Sequence, residues 1–167
     1  MAKSKGEFLG MDAVRNRGYD PMVYRYFVAM GHYQSQLAFS WETMDATAKS
    51  YANLVRRVAD LMHAENHDIN SDLYTKWHND MLAAMSDNLK TASVLVLIQD
   101  FIKSNEIDDA TKLSLVHFAD ELLGLQFIDR AKKLVALESE SAPDEIVALA
   151  AARADAKANK DWATADA

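Results

Sequence analysis

The chain has 167 residues, half of them hydrophobic and 26% charged, which fits one globular domain with a sizeable core. It has no cysteine, which excludes disulfides and thiolate metal sites, and no apolar run near the ~18 residues needed to span a membrane. Its net charge of −7 is uneven: residues 1–57 carry +3 and residues 58–167 carry −10, so a polyanion should meet the N-terminal third or a local basic stripe.

Five glycines and two prolines leave few tight turns, which points to long helices rather than a sheet of many strands. No signal peptide precedes the first polar residues, so a cytoplasmic protein is the expectation. Residues 1–10 read as a loop. Residues 11–17 suit a short helix closed by Gly18 as a left-handed cap. Asp20-Pro21 is a strong helix start, with Asp20 as N-cap and Pro21 in the first turn, and that helix is expected to run to about Gly31. Residues 32–40 look irregular and end on Ser40, a good N-cap. From Trp41, Met44, Ala48, Tyr51, Val55, Val58 and Met62 alternate spacings of four and three. That is an apolar stripe on one face of a helix running to about Ala64, ~35 Å long at 1.5 Å per residue. Residues 66–71 form a polar turn with Ser71 as the next cap, and residues 73–85 are helical up to a break at Ser86-Asp87-Asn88. Residues 91–104 contain the run Val94-Leu95-Val96-Leu97-Ile98, so this helix is expected to be central and buried. Asp108 caps a helix that Gly124 ends after Leu123. Residues 125–137 are at least partly helical, residues 138–142 form a polar linker, Pro143 opens a helix to about Asn159, and Asp161 begins a last helical stretch.

Several residue groups invite a chemical reading. Lys3-Ser4-Lys5-Gly6 has the charge, hydroxyl and mobility that suit phosphate binding, although its spacing alone describes a solvated N-terminus. Arg25, between Tyr24 and Tyr26, can stack on bases or pair with phosphate. Its structural alternative is a helix whose aromatics pack inward while Arg25 ties two segments together. His63 and His67 lie one helical turn apart near Glu65, Asp68 and His78, but the order is not His-Glu-x-x-His, and polar helix-end residues are the expectation; no metal site is assigned. Arg56-Arg57, Arg130-Lys132-Lys133 and the group Lys157, Lys160 and Trp162 are short basic clusters, each readable as a solvated face or as an RNA contact. No nucleophile elbow and no Gly-rich phosphate loop of the strand–loop–helix type is present.

Met1-Ala2-Lys3-Ser4 resembles the last four positions of the Lys-Met-Ser-Lys-Ser loop that class I aminoacyl-tRNA synthetases close on ATP phosphates, with Ala2 in place of the first serine. The continuation resembles cysteinyl-tRNA synthetases: Gly6-Glu7-Phe8-Leu9, Gly18-Tyr19-Asp20-Pro21, Arg25-Tyr26-Phe27, then His32-Tyr33 through Leu37, Phe39 and Ser40. Asp87-Asn88-Leu89-Lys90-Thr91-Ala92 resembles that family's Asp-Leu-Asn-Thr-Pro-x-Ala helix start, and Leu122-Leu123-Gly124-Leu125 contains its Leu-Gly-Leu. Arg153, Lys157 and Lys160-Asp161-Trp162-Ala163 with Ala165-Asp166 resemble its closing stretch. Gln34 stands where the family often has arginine, and Lys90 breaks the Asn-Thr-Pro order. The family's upstream half, with its His-Ile-Gly-His signature, zinc ligands and most of the ATP pocket, has no counterpart here.

The expectation is therefore an all-α fold, a helical bundle over residues 41–167 of the anticodon-binding type, preceded by a loop and connecting, stem-contacting segment over residues 1–40. The resemblance implies a parent enzyme that joins cysteine to its tRNA at the expense of ATP. Lys3 would meet the ATP phosphates and stabilise the pyrophosphate leaving group, and Ser4 would shape the loop. Arg25, Arg56, Arg57, Lys157, Lys160 and Trp162 are the candidate tRNA contacts. ATP and cysteine would bind only with the absent catalytic half, zinc would belong to that half, and neither membrane nor DNA is an expected partner. Two alternatives stand beside this reading: a related cysteine:amino-sugar ligase, and a helical protein-interaction module.

Overall fold

Among the described residues, four helices start on a side chain that satisfies an orphan backbone amide, and the positions of these starts fix how the segments meet. A computed structural model describes residues 10–62 and 68–139. Among them are seven helices and no strand: α1 (Met11–Asn16), α2 (Pro21–Ala29), α3 (Trp41–Leu61), α4 (Ser71–Ser86), α5 (Thr91–Lys103), α6 (Asp109–Leu123) and α7 (Phe127–Ser139). The fold is all-α, as expected. Packing joins the described residues up to Leu134 into one unit; residues from Val135 belong to a second, represented here by the end of α7. The expected loop of residues 1–9, the helices expected after Pro143, and His63, Glu65 and His67 lie outside the described residues.

The predicted caps are present at three starts. Asp20 Oδ1 accepts from Met22 N at 2.8 Å, Ser40 Oγ from Thr43 N at 3.1 Å, and Asp108 Oδ1 from Thr111 N at 2.8 Å. At α4 the cap is Asn70, not Ser71. The Asn70 side chain accepts from Leu73 N, and its own amide donates to Thr111 Oγ1 at 2.8 Å, which holds Asn70 outside the helix and puts Ser71 in the first turn. Gly18 (φ +86°) and Gly124 (φ +61°) follow α1 and α6 in the left-handed region. The helix from Pro21 ends at Ala29, two residues before the expected Gly31.

On α3, Met44, Tyr51, Val55 and Val58 are buried as the stripe predicts. The buried face is wider than that stripe and includes Thr47, Leu54, Ala59 and Leu61, because α2 and α6 both pack against α3. The apolar run of α5 behaves differently from its expectation. Val94, Leu95 and Ile98 are buried, but Val96 is 57% exposed, so the helical period divides even this run into an inner and an outer face.

The core joins α2, α3 and the start of α7 through three rings. Tyr26 and Tyr51 lie 5.5 Å apart, Tyr51 and Phe127 5.7 Å, and Tyr26 and Phe127 6.3 Å. The buried Tyr51 hydroxyl donates to Leu125 O at 2.6 Å, and burial pushes its pKa up to about 12. The turn it grips is unusual: Gly124 and Gln126, on either side of Leu125, both have positive φ. Asp120 Oδ2 completes this corner by accepting from Ile128 N at 2.8 Å, which satisfies a backbone donor in the first turn of α7.

Asp20 has a second task. Its Oδ2 pairs with Arg130 Nη1 at 2.5 Å, which joins the start of α2 to α7. Partial burial opposes the charge on Asp20, but the hydrogen bonds from Arg130 and from the Met22 amide outweigh it and hold the carboxyl below its ordinary 3.8.

Two outcomes follow from this packing. Tyr51→Phe leaves the Leu125 carbonyl without its buried donor and should cost about 1–3 kcal/mol in urea unfolding. Because the folded pKa of Asp20 is depressed, its stabilisation is present above the unfolded value and lost as pH falls through the lower folded value. The stability difference between wild type and Asp20→Asn should therefore be constant at neutral pH and shrink below about pH 4, near the reference Asp pKa.

Candidate nucleic-acid interface

Two exposed regions collect the residues the sequence singles out. The first surrounds the end of α2. Arg25 donates from Nε (3.1 Å) and Nη2 (2.9 Å) to Leu123 O, so its fork satisfies a C-terminal carbonyl of α6. Tyr26 and Phe27 beside it are buried. This is the tying arrangement that the sequence offered as the structural alternative for Arg25. Gly124 is part of it: a Cβ there would stand 2.9 Å from Arg25 Nη2.

The segment after α2 is clasped to the turn between α4 and α5. His32 Nε2 lies 3.1 Å from Asn88 O, Tyr33 donates to Asn88 Oδ1 at 2.6 Å, and Asn88 Nδ2 donates to Gln34 Oε1 at 3.2 Å. Asn88 (φ +58°) and Leu89 (φ +51°) are both left-handed, a conformation that costs ~1–2 kcal/mol for a residue such as Leu. The His-Tyr-Gln triplet thus holds a strained turn, and Thr91 Oγ1 adds a bond to Ala29 O at 2.8 Å. Beside this clasp runs an apolar groove of about 640 Å³, lined in part by Met11, Met22, Val28, Tyr33, Leu89 and Leu122.

The second region is a groove of about 430 Å³ flanked by α3 and α5. Lys49, Asn53 and Arg57 of α3 and Lys103 of α5 line it and are exposed, with Ser50 and Gln99 between them. α6 packs against both flanking helices from within. Arg57 was singled out by its Arg56-Arg57 pair, and Arg56 is an exposed neighbour on α3. Lys49 and Lys103 were not. The spacing of Lys49, Asn53 and Arg57 at i, i+4 and i+8 is visible in the sequence, but only the tertiary fold brings Lys103 to them.

The other candidates separate. In the Arg130-Lys132-Lys133 cluster, Arg130 is engaged by Asp20, and Lys132 lines a surface with Asp120, Glu121 and Asp129. His78 packs on Phe118 with ring centroids 4.0 Å apart, a packing role. Among the described residues no three His, Asp or Glu side chains converge to hold a metal ion. Lys3, Ser4, Lys157, Lys160 and Trp162 lie outside the described residues.

No protein-family model matches the chain. It is, however, homologous to cysteine–tRNA ligases over its whole length. It is 33% identical to the enzyme of that name from Novosphingobium aromaticivorans, with 100% of this chain aligned to 35% of the relative. It is 32% identical to cysteine–tRNA ligase 1 of Burkholderia lata (99% of this chain, 33% of the relative) and 31% identical to the ligase of Treponema denticola (99% and 38%). The chain thus spans about a third of the length of the curated relatives it matches.

The geometry around Arg25 gives a direct test. Arg25→Ala should destabilise the fold by about 1–2 kcal/mol, since it removes a charged donor pair from the α6 carbonyl. Gly124→Ala should also destabilise, through its φ and its contact with the guanidinium. In a double-mutant cycle read by urea unfolding, the two costs should add to more than the double variant loses.

Proposed function

We propose that this chain is the tRNA-recognising helical part of a cysteine–tRNA ligase, the enzyme that attaches cysteine to its tRNA with ATP. The observation that carries this reading is the alignment of essentially every residue with ligases of that name from three bacterial genera. The all-helical architecture and an exposed cationic groove in an otherwise acidic chain agree with it. The names of these relatives favour tRNA over the amino-sugar substrate of the alternative ligase.

In this reading residues 1–40 connect the catalytic part to the RNA-binding bundle, and residues 41–167 form that bundle. The His32–Asn88 clasp and the Arg25–Leu123 bond would fix the angle at which the connecting segment leaves it. Lys3 would neutralise charge developing on the pyrophosphate as the cysteinyl-adenylate forms, and Ser4 would shape its loop. Binding is the role we assign to the helices, and the chemistry would need the parent enzyme's catalytic part. The chain has no cysteine for a thiolate zinc site, and no three His, Asp or Glu side chains converge among the described residues. The resemblance, not this absence, assigns zinc to the catalytic half of the parent enzyme. Such an enzyme would work with translation in the cytoplasm.

One observation favours a second reading, a protein-interaction module. The apolar groove beside α2 exposes Met11 (37%), Val28 (46%), Tyr33 (63%) and Leu89 (54%).

Titration with tRNA of cysteine specificity, against the same tRNA with altered anticodon bases, separates the two. The ligase reading predicts binding that weakens steeply with salt and drops about tenfold or more on anticodon change, as loss of a stacked base at ~1–3 kcal/mol implies. Equal or absent binding of both tRNAs, with salt-insensitive self-association in sedimentation, would instead establish the interaction module.

A further inference from the structure

The groove between α3 and α5 has a chemistry that the family relation does not specify. Lys49 and Arg57 stand eight residues apart on α3, a separation of ~12 Å along the axis at 1.5 Å per residue. Lys103, in the last turn of α5, adds a third cation from the opposite wall. Ser50, Asn53 and Gln99 supply neutral hydrogen-bonding groups, and Leu54 and Ala46 complete the lining. No carboxylate and no aromatic ring is among the described residues that line it.

Each absence selects the ligand. Three cations with no carboxylate in the lining make the groove suit a polyanion. Without a ring there is no stacking platform for a base. The Lys49 and Lys103 ammonium groups act on phosphate as point charges, and the Arg57 guanidinium can take a phosphate through its fork. We infer that this groove binds the phosphodiester backbone of RNA without reading bases. It would anchor and orient the RNA while sequence is read elsewhere. RNA is chosen as the polyanion on the strength of the ligase reading above.

The test uses the full 167-residue chain and the variant Lys49→Gln/Arg57→Gln/Lys103→Gln, with Lys103→Gln alone as a milder form. All three side chains are exposed, so circular dichroism and melting should match wild type. Binding is titrated against salt with the cysteine tRNA, its anticodon-altered partner and a short oligouridylate, and with polyglutamate as a polyanion that is not RNA. The triple variant should weaken all three RNAs by the same factor and reduce the slope of log K against log salt by about two to three, roughly one per lost phosphate contact. The single variant should reduce it by about one. The ratio between matched and altered tRNA should not move. Unchanged affinity and slope would overturn the groove while leaving any anticodon discrimination, and hence the ligase reading, intact. Wild-type oligouridylate binding that the variants abolish, without anticodon discrimination, would support the groove and refute the anticodon reading. A change in the matched-to-altered ratio would overturn the proposal by showing base readout. Polyglutamate binding as tightly as RNA, with the same loss on substitution, would make the groove an acidic-peptide site instead. Failure of wild type to bind any RNA would overturn it too.

Discussion

The buried hydrogen bond from Tyr51 to Leu125 O is the constraint on which the arrangement of helices depends. It joins the middle of α3, the longest helix among the described residues, to a corner with positive φ at Gly124 and Gln126. A carbonyl buried at such a corner must find a donor. Tyr51 supplies it while its ring packs on Tyr26 and Phe127, so one side chain sets both the register of α3 against the corner and the seat of α2. With its inner face committed in this way, α3 has to present Lys49, Arg56 and Arg57 outward.

A second layer of ties works on the exposed side. Arg25 closes the end of α6, Asp20 reaches Arg130, and the His32–Tyr33–Gln34 triplet grips the turn at Asn88 and Leu89. These bonds are polar and partly solvated, so each is worth less than a core contact. Their role is directional. They leave residues 18–40 one path across the bundle, as the proposed joining of an RNA-binding part to a catalytic part would need. Several of the motif residues that carry the family resemblance prove to be these ties. The motif around Arg25 is then explained by architecture first, with its RNA role remaining a proposal.

Much of this was legible in the sequence, for local reasons. Asp20, Ser40 and Asp108 announce helix starts because a cap needs only one side chain and the next three amides. Gly18 and Gly124 announce stops because a left-handed residue favours glycine. The α3 stripe was legible from its period. What failed needed partners distant in sequence. Ser71 looked like a cap until Thr111, forty residues on, took the amide of Asn70. The run Val94–Ile98 looked wholly buried because composition does not show that α5 has an outer side. Asn88 and Leu89 gave little warning of their positive φ, since the bonds that hold them come from residues 32–34. At the candidate interface, Arg57 was legible as half of a basic pair, whereas Lys49 and Lys103 are isolated lysines in the sequence and become a site only across two helices.

The central claim is that an RNA meets this chain along the outward face of α3 and α5. Hydrogen–deuterium exchange of the chain with and without the cysteine tRNA tests it most directly. The account predicts slowed exchange concentrated in residues 46–57 and 99–103, with little change in the buried backbone around Leu125. Protection confined to other segments, or none at saturating tRNA, would contradict it.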